Sequence, residues 1–150
     1  MAYPRYRRVN TDGKSLYKTE TRLAAAALLP GTFAVINASD AFAQSTVATG
    51  CMYVVDVGYH QGLTILDANP VGDSVVGNYL EEGRELTVRV AAASVWKKDT
   101  PVTIGAAGIA KVGVEGTDVI LGYSQDAVTI GDKPDFIRMR AKFVPKTAAA

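Results

Sequence analysis

The chain has 150 residues, 48% of them hydrophobic and 21% charged, and a formal net charge of +1. That length gives room for one domain with a real core and hardly for two, and that composition excludes wholesale disorder. A charge so near zero excludes a global pull toward nucleic acid or membrane, and a single cysteine, Cys51, excludes an internal disulfide or a cysteine-built metal site.

Charge is nonetheless uneven along the chain. Residues 1–22 hold six basic and two acidic groups, a net +4, whereas the remainder holds ten basic against thirteen acidic, a net −3. Tyrosines alternate with arginines around Pro4, no apolar period of 2 or 3.6 residues is present, and Thr11-Asp12-Gly13 signals a turn. This stretch reads as an extended basic arm, with residues 23–150 as the body. Such an arm is expected to be removable without unfolding the body.

Residues 23–36 are apolar, and Ala41-Phe42-Ala43 imitates a signal-peptidase site. The stretch starts 22 residues in, Pro30-Gly31 interrupts it, and 14 residues are too few to cross a bilayer, so neither secretion nor a membrane span is expected. Residues 23–29 are rich in alanine and leucine and fit either a two-turn helix or the small-residue face of a strand.

From Thr32 onward strand and turn signals alternate. Residues 33–36 form a short apolar run closed by Asn37-Ala38-Ser39-Asp40. Residues 52–57 are β-branched and aromatic up to Gly58. Residues 85–90 and 137–143 alternate with period two. In the first, Glu85, Thr87 and Arg89 share one face and Leu86, Val88 and Val90 the other. In the second, Ile137, Met139, Ala141 and Phe143 are expected inward and Arg138, Arg140 and Lys142 in solvent. Residues 118–123 read as a strand covered on both faces. Turn signals every 8–12 residues or so suggest a sandwich or barrel. The fold class is therefore all-β, a single β-sandwich or barrel-like domain with an extended N-terminal arm.

The residues offer no catalytic set. His60, the one histidine, sits among glycines at a loop tip without an oriented nucleophile. Asp67, Asp73, Glu81 and Glu82 do not match a calcium loop, and the glycines form no phosphate cradle. Cys51 has no flanking cation and is expected to fill a core. No enzyme, cofactor, metal or small-molecule substrate is expected. The functional residues are instead contact residues: Tyr3, Arg5, Tyr6, Arg7 and Arg8, with Tyr17 and Lys18 further along the arm, and Trp96. Aromatic faces and guanidinium forks on a pre-extended backbone suit docking on an acidic groove or addition to an open sheet edge. The same arm could stack bases or be a solvated tail, and six cations diluted by two acids leave a weak nucleic-acid footprint. Trp96 fits either an interface anchor or a tryptophan packed at the core edge with its N–H satisfied.

The segment order from residue 23 to 143 resembles the capsid cement, or head decoration, proteins of tailed bacteriophages. The resemblance rests on Ala27-Leu28-Leu29-Pro30-Gly31-Thr32, the loop of residues 59–62, Pro70-Val71-Gly72-Asp73-Ser74-Val75, Leu80-Glu81-Glu82-Gly83-Arg84-Glu85-Leu86, and Ile137-Arg138-Met139-Arg140. Lys98-Asp99 lacks the glycine of the family's usual turn. The resemblance implies a β-sandwich or barrel, often a homotrimer, in the virion on the capsid surface. There it would bind the major capsid protein and bridge neighbouring capsomers. A head-fibre base, a neck or tail component, or a nucleic-acid-binding β module are the alternatives.

Overall fold

The structure is a computed structural model describing residues 4–11, 18–48 and 51–147. It is all-β, built as two closed five-stranded barrels packed side by side. Strands β1 (Thr19–Ala24), β2 (Phe33–Ile36), β3 (Ala41–Gln44), β4 (Tyr53–Val55) and β5 (Ser74–Tyr79) make the first barrel, in the order β1-β3-β2-β4-β5. It closes through a five-pair antiparallel ladder of β1 on β5, while β1 and β3 run parallel at Leu23–Ala41 and Ala24–Phe42. The ambiguous stretch after residue 23 is thus the end of a strand followed by irregular chain, and Leu28 bridges to Asn69. Pro30-Gly31 leaves too little length for a helix to repay its nucleation.

The first barrel is small, and its interior shows why. Ala24, Ala34, Val55 and Val75 surround the Phe42 and Tyr53 rings, which meet edge-on at 5.2 Å. A Cβ at Gly77 would lie 2.4 Å from the tip of Phe42, so only glycine lets β5 pass the ring.

Strands β6 (Glu85–Val90), β8 (Pro101–Ile104), β9 (Ala110–Val112), β10 (Ile120–Ser124) and β12 (Asp135–Val144) make the second barrel. Its order is β10-β12-β6-β9-β8, and β8 closes on β10. A two-stranded ribbon, β7 (Val95–Trp96) with β11 (Val128–Thr129), covers one end. Period two in the first barrel's walls ties the barrels together. On β2 and β4, Ala34, Tyr53 and Val55 point into the first barrel, while Phe33 and Val54 join the core of the second, with Leu86, Val88, Ile137 and Met139.

Both faces of β6 are covered: Thr87 and Arg89 are 0% and 5% exposed, because the first barrel and the N-terminal segment lie over that side. One expectation about sidedness needs correction. Phe143, assigned inward, is 42% exposed. It lies past the end of the β6–β12 ladder, which stops at the Arg140–Glu85 pair, and beside the register shift in the β10–β12 ladder.

The seam between the barrels is held by two buried guanidinium groups. Arg89 donates to the carbonyls of Pro30 (3.1 Å) and Ile65 (2.8 Å), and its charge lies 4.7 Å from the centre of the Phe136 ring. Arg84 donates to the carbonyls of Lys18 (2.9 Å) and Tyr79 (3.0 Å) and to Asn78 Oδ1 (3.2 Å). Each satisfies first-barrel oxygens from the second barrel's side, which a lysine would match less well because it lacks the planar fork. Replacing Arg89 with methionine keeps much of the volume but strands two carbonyls in the seam. The expected cost is about 3 kcal/mol in urea unfolding, with Arg89→Lys falling between the two.

Candidate functional site

The N-terminal segment does not stand away from the body. Strand β6 pairs with β12 on one side, but on the other it meets β9 only at Val90–Ala110. Its remaining N–H groups on that side need acceptors. The Thr87 N–H donates to the Val9 carbonyl at 2.6 Å, and the Arg89 N–H donates to the Gly31 carbonyl at 2.8 Å. Asn10 bridges Leu86 in antiparallel register, and the Thr11 hydroxyl donates to the Glu85 carbonyl. Val9 is fully buried within the second barrel's core. Residues 9–11 thus complete the sheet edge that β9 leaves open, and the body itself holds this part of the arm.

Four residues earlier the segment is anchored electrostatically. Asp126 is 5% exposed and accepts from the Tyr6 hydroxyl (2.7 Å), the Arg138 N–H (2.9 Å) and the Arg138 Nε (3.0 Å). The Arg5 guanidinium lies 3.5 Å from the same carboxylate. The Arg5 N–H donates to Asp135 Oδ1, and its guanidinium to the Phe136 carbonyl. Burial alone would push the Asp126 carboxyl up. The Arg138 N–H, the Tyr6 hydroxyl and the Arg138 guanidinium together outweigh it and hold the carboxyl below its usual value. The Tyr6 hydroxyl moves the opposite way, raised by burial and by its bond to Asp126.

Beside this anchor lies a shelf formed by residues 58–67. A 3₁₀ turn at Tyr59–Gln61 ends at Gly62, whose φ of 72° only glycine adopts freely. The Asp67 carboxylate accepts from both the N–H and the hydroxyl of Thr64, which lowers its pKa. Arg89 fixes the shelf from beneath through the Ile65 carbonyl, and Val57, Ile65 and Phe136 form a small core there, with Tyr6 packed on it. The Tyr59 hydroxyl donates to the Arg7 carbonyl at 3.0 Å. Segment and shelf together enclose a groove of about 350 Å³ lined by Pro4, Arg7, Tyr59, Leu63 and Leu66.

The sequence-derived contact residues therefore divide. Arg5 and Tyr6 bond within the molecule, and Arg7 and Arg8 are exposed. Tyr3 and Tyr17 lie outside the described residues. Lys18 forms an ion pair with Glu81. Trp96 is not a surface anchor: it is 1% exposed, with its indole N–H on Ser94 Oγ at 2.9 Å, because the ribbon folds it over the barrel end. Cys51 is exposed rather than a core filler, since it falls just before β4 begins. The expected solvent face of β12 is partly engaged, Arg138 with Asp126 and Arg140 with Glu85. His60 is exposed on the shelf's turn. Among the described residues no group of three or more His, Cys, Asp or Glu side chains is placed to hold a metal ion. Sequence reasoning missed Asp126, Asp135, Leu63 and Leu66. A lone acid following Ser124-Gln125 carries no local signal, because its partners lie 12 and 120 residues away.

No family model matches the chain, and neither does any curated protein. Among solved structures, the head fiber gp8.5 N base of bacteriophage phi29 matches with a TM-score of 0.52 and 13% identity. The alignment covers 88% of this chain and 97% of that one. At this identity the likeness is one of fold.

Two measurements test the docking of the segment. Val9→Ala is expected to cost about 2 kcal/mol in urea unfolding, where a solvated arm would show no effect. Asp126, with its lowered carboxyl, stabilises the fold above the ordinary carboxylate pKa of about 4, and that contribution is lost as pH falls through the lowered value. Asp126→Asn is therefore expected to be less stable than the parent at pH 7 and to converge with it toward pH 2 in thermal denaturation.

Proposed function

We propose that this chain is a structural protein of a tailed-bacteriophage virion, mounted on the outer surface of the head. There it cements the shell by bridging neighbouring copies of the major capsid protein, as a homotrimer near threefold-type positions. One observation carries the reading: the N base of a phage head fiber shares this fold across nearly the whole of that chain. The cement-like order of turns and strands between residues 23 and 143 supports it independently. The task is mechanical, and two closed barrels, the first sending Phe33 and Val54 into the core of the second, supply a stiff unit for it. Bridging requires many modest contacts multiplied by linkage within an oligomer rather than one deep pocket.

A second reading, the base of a head fibre, is favoured by the same likeness, because the phi29 protein is itself a fiber base. Copy number separates them, since cement covers the shell and a fibre base sits beneath a projecting rod visible by electron microscopy.

The test mixes the purified chain with expanded, undecorated phage capsids and counts copies after sedimentation. Saturation at one trimer per threefold-type position is the expected result. Folded protein that fails to sediment with shells overturns the reading.

A further inference from the structure

Eight arginines are described, and six of them have partners within the molecule. Arg5 and Arg138 face Asp126, Arg22 faces Asp40 and Glu20, Arg140 faces Glu85, and Arg84 and Arg89 are buried on carbonyls. Arg7 and Arg8 are adjacent, exposed and without an ion pair among the described residues. Their position is fixed all the same. Val9 is anchored in the core on one side and Tyr6 on Asp126 on the other, and the Tyr59 hydroxyl holds the Arg7 carbonyl. Two guanidinium groups are thus carried on an immobilised backbone, which lowers the ordering cost of binding.

Arg7 lines the apolar groove, and Arg8 follows it on the same fixed backbone. Tyr59 is 57% exposed and Leu66 39%, on a shelf pinned by Arg89 and by the Thr64–Asp67 turn. A rigid apolar slot edged by one exposed guanidinium fork, with a second on the next residue, fits a carboxylate next to a large apolar side chain.

We infer that the surface of Arg7, Arg8, Tyr59, Leu63 and Leu66 docks an acidic, apolar-containing segment of the capsid shell protein. This rests on the cementing reading and names the partner chemistry within it. The apolar floor favours protein over nucleic acid, whose phosphates would leave Leu63 and Leu66 uncovered. The large groove beside Glu82, Lys98, Asp99 and Arg140 is a poorer candidate, because Arg140 is paired with Glu85 and Lys98 with Asp99.

Sedimentation with undecorated capsids tests the inference, using the full chain, Arg7→Glu/Arg8→Glu, Leu66→Ser, and Lys111→Glu/Lys142→Glu as a charge-matched control away from the groove. Thermal denaturation first checks that all four are folded. Reversing the arginine pair is expected to weaken shell binding at least about tenfold, and Leu66→Ser about fivefold, with the control unchanged. Added salt should weaken the parent and leave the reversed variant nearly insensitive. If the parent binds shells and Arg7→Glu/Arg8→Glu binds equally well, the inference is overturned and the cementing reading stands. If the parent does not bind, both fall. Loss of binding to a single-stranded DNA oligonucleotide in the reversed variant, with shell binding intact, would reassign the pair to nucleic acid and also overturn it.

Discussion

A charged group is buried where the two barrels meet, and the geometry of the molecule follows from satisfying it. Placing a guanidinium in a seam is costly unless every face of it finds a partner. Arg89 meets that condition with two carbonyls from separate loops of the first barrel and the face of Phe136 from the second. Those partners fix the turn at Pro30, the shelf at Ile65 and the position of β12 relative to both. Arg84 repeats the arrangement at the other end of β6, on Lys18, Tyr79 and Asn78. Burial pushes the neighbouring Asp56 carboxyl up, while the Val57 N–H, Asn78 and Arg84 draw it down. The relative placement of the barrels is thus directional, where apolar contact alone would tolerate sliding.

The shared core and the polar seam divide the work. Phe33 and Val54, on the outer wall of the first barrel, contribute apolar burial to the second. Gly108 sets how closely they approach, since a Cβ there would stand 2.9 Å from the Phe33 carbonyl. The φ of 68° at this position independently requires glycine. Closure of both sheets also answers the edge problem of β proteins. Where closure is incomplete, along β6, the Val9 and Gly31 carbonyls supply the acceptors and the Thr11 hydroxyl a donor.

Local pattern made the strands readable and left their arrangement hidden. Alternation at residues 137–143 identified β12, because a helix would have spread Arg138, Arg140 and Lys142 around its circumference. The same alternation set Thr87 and Arg89 opposite Leu86 and Val88 and no more, since period two distinguishes the faces of a strand without saying what covers them. A polar face over an apolar one looks like solvent, and here it is a second barrel. The arm was legible as basic, aromatic and extended, but Val9 reads as one apolar residue among cations and gives no sign of its seat. For the site, Arg7 and Arg8 were readable from composition. Leu63, Leu66 and Asp126 were not, because their roles arise from contacts across the fold.

The docking of residues 5–10 also orders events during synthesis. Strands β1 to β5 are contiguous in the chain, so the first barrel has all its strands once residue 79 has emerged. The seat for Val9 and Tyr6 needs β6, Asp126 and Phe136, all of which follow the first barrel in the sequence. Residues 5–10 are therefore made well before the groups that seat them. Until then Arg5, Arg7 and Arg8 travel unseated, and protection of this segment from protease should appear only once β12 is complete.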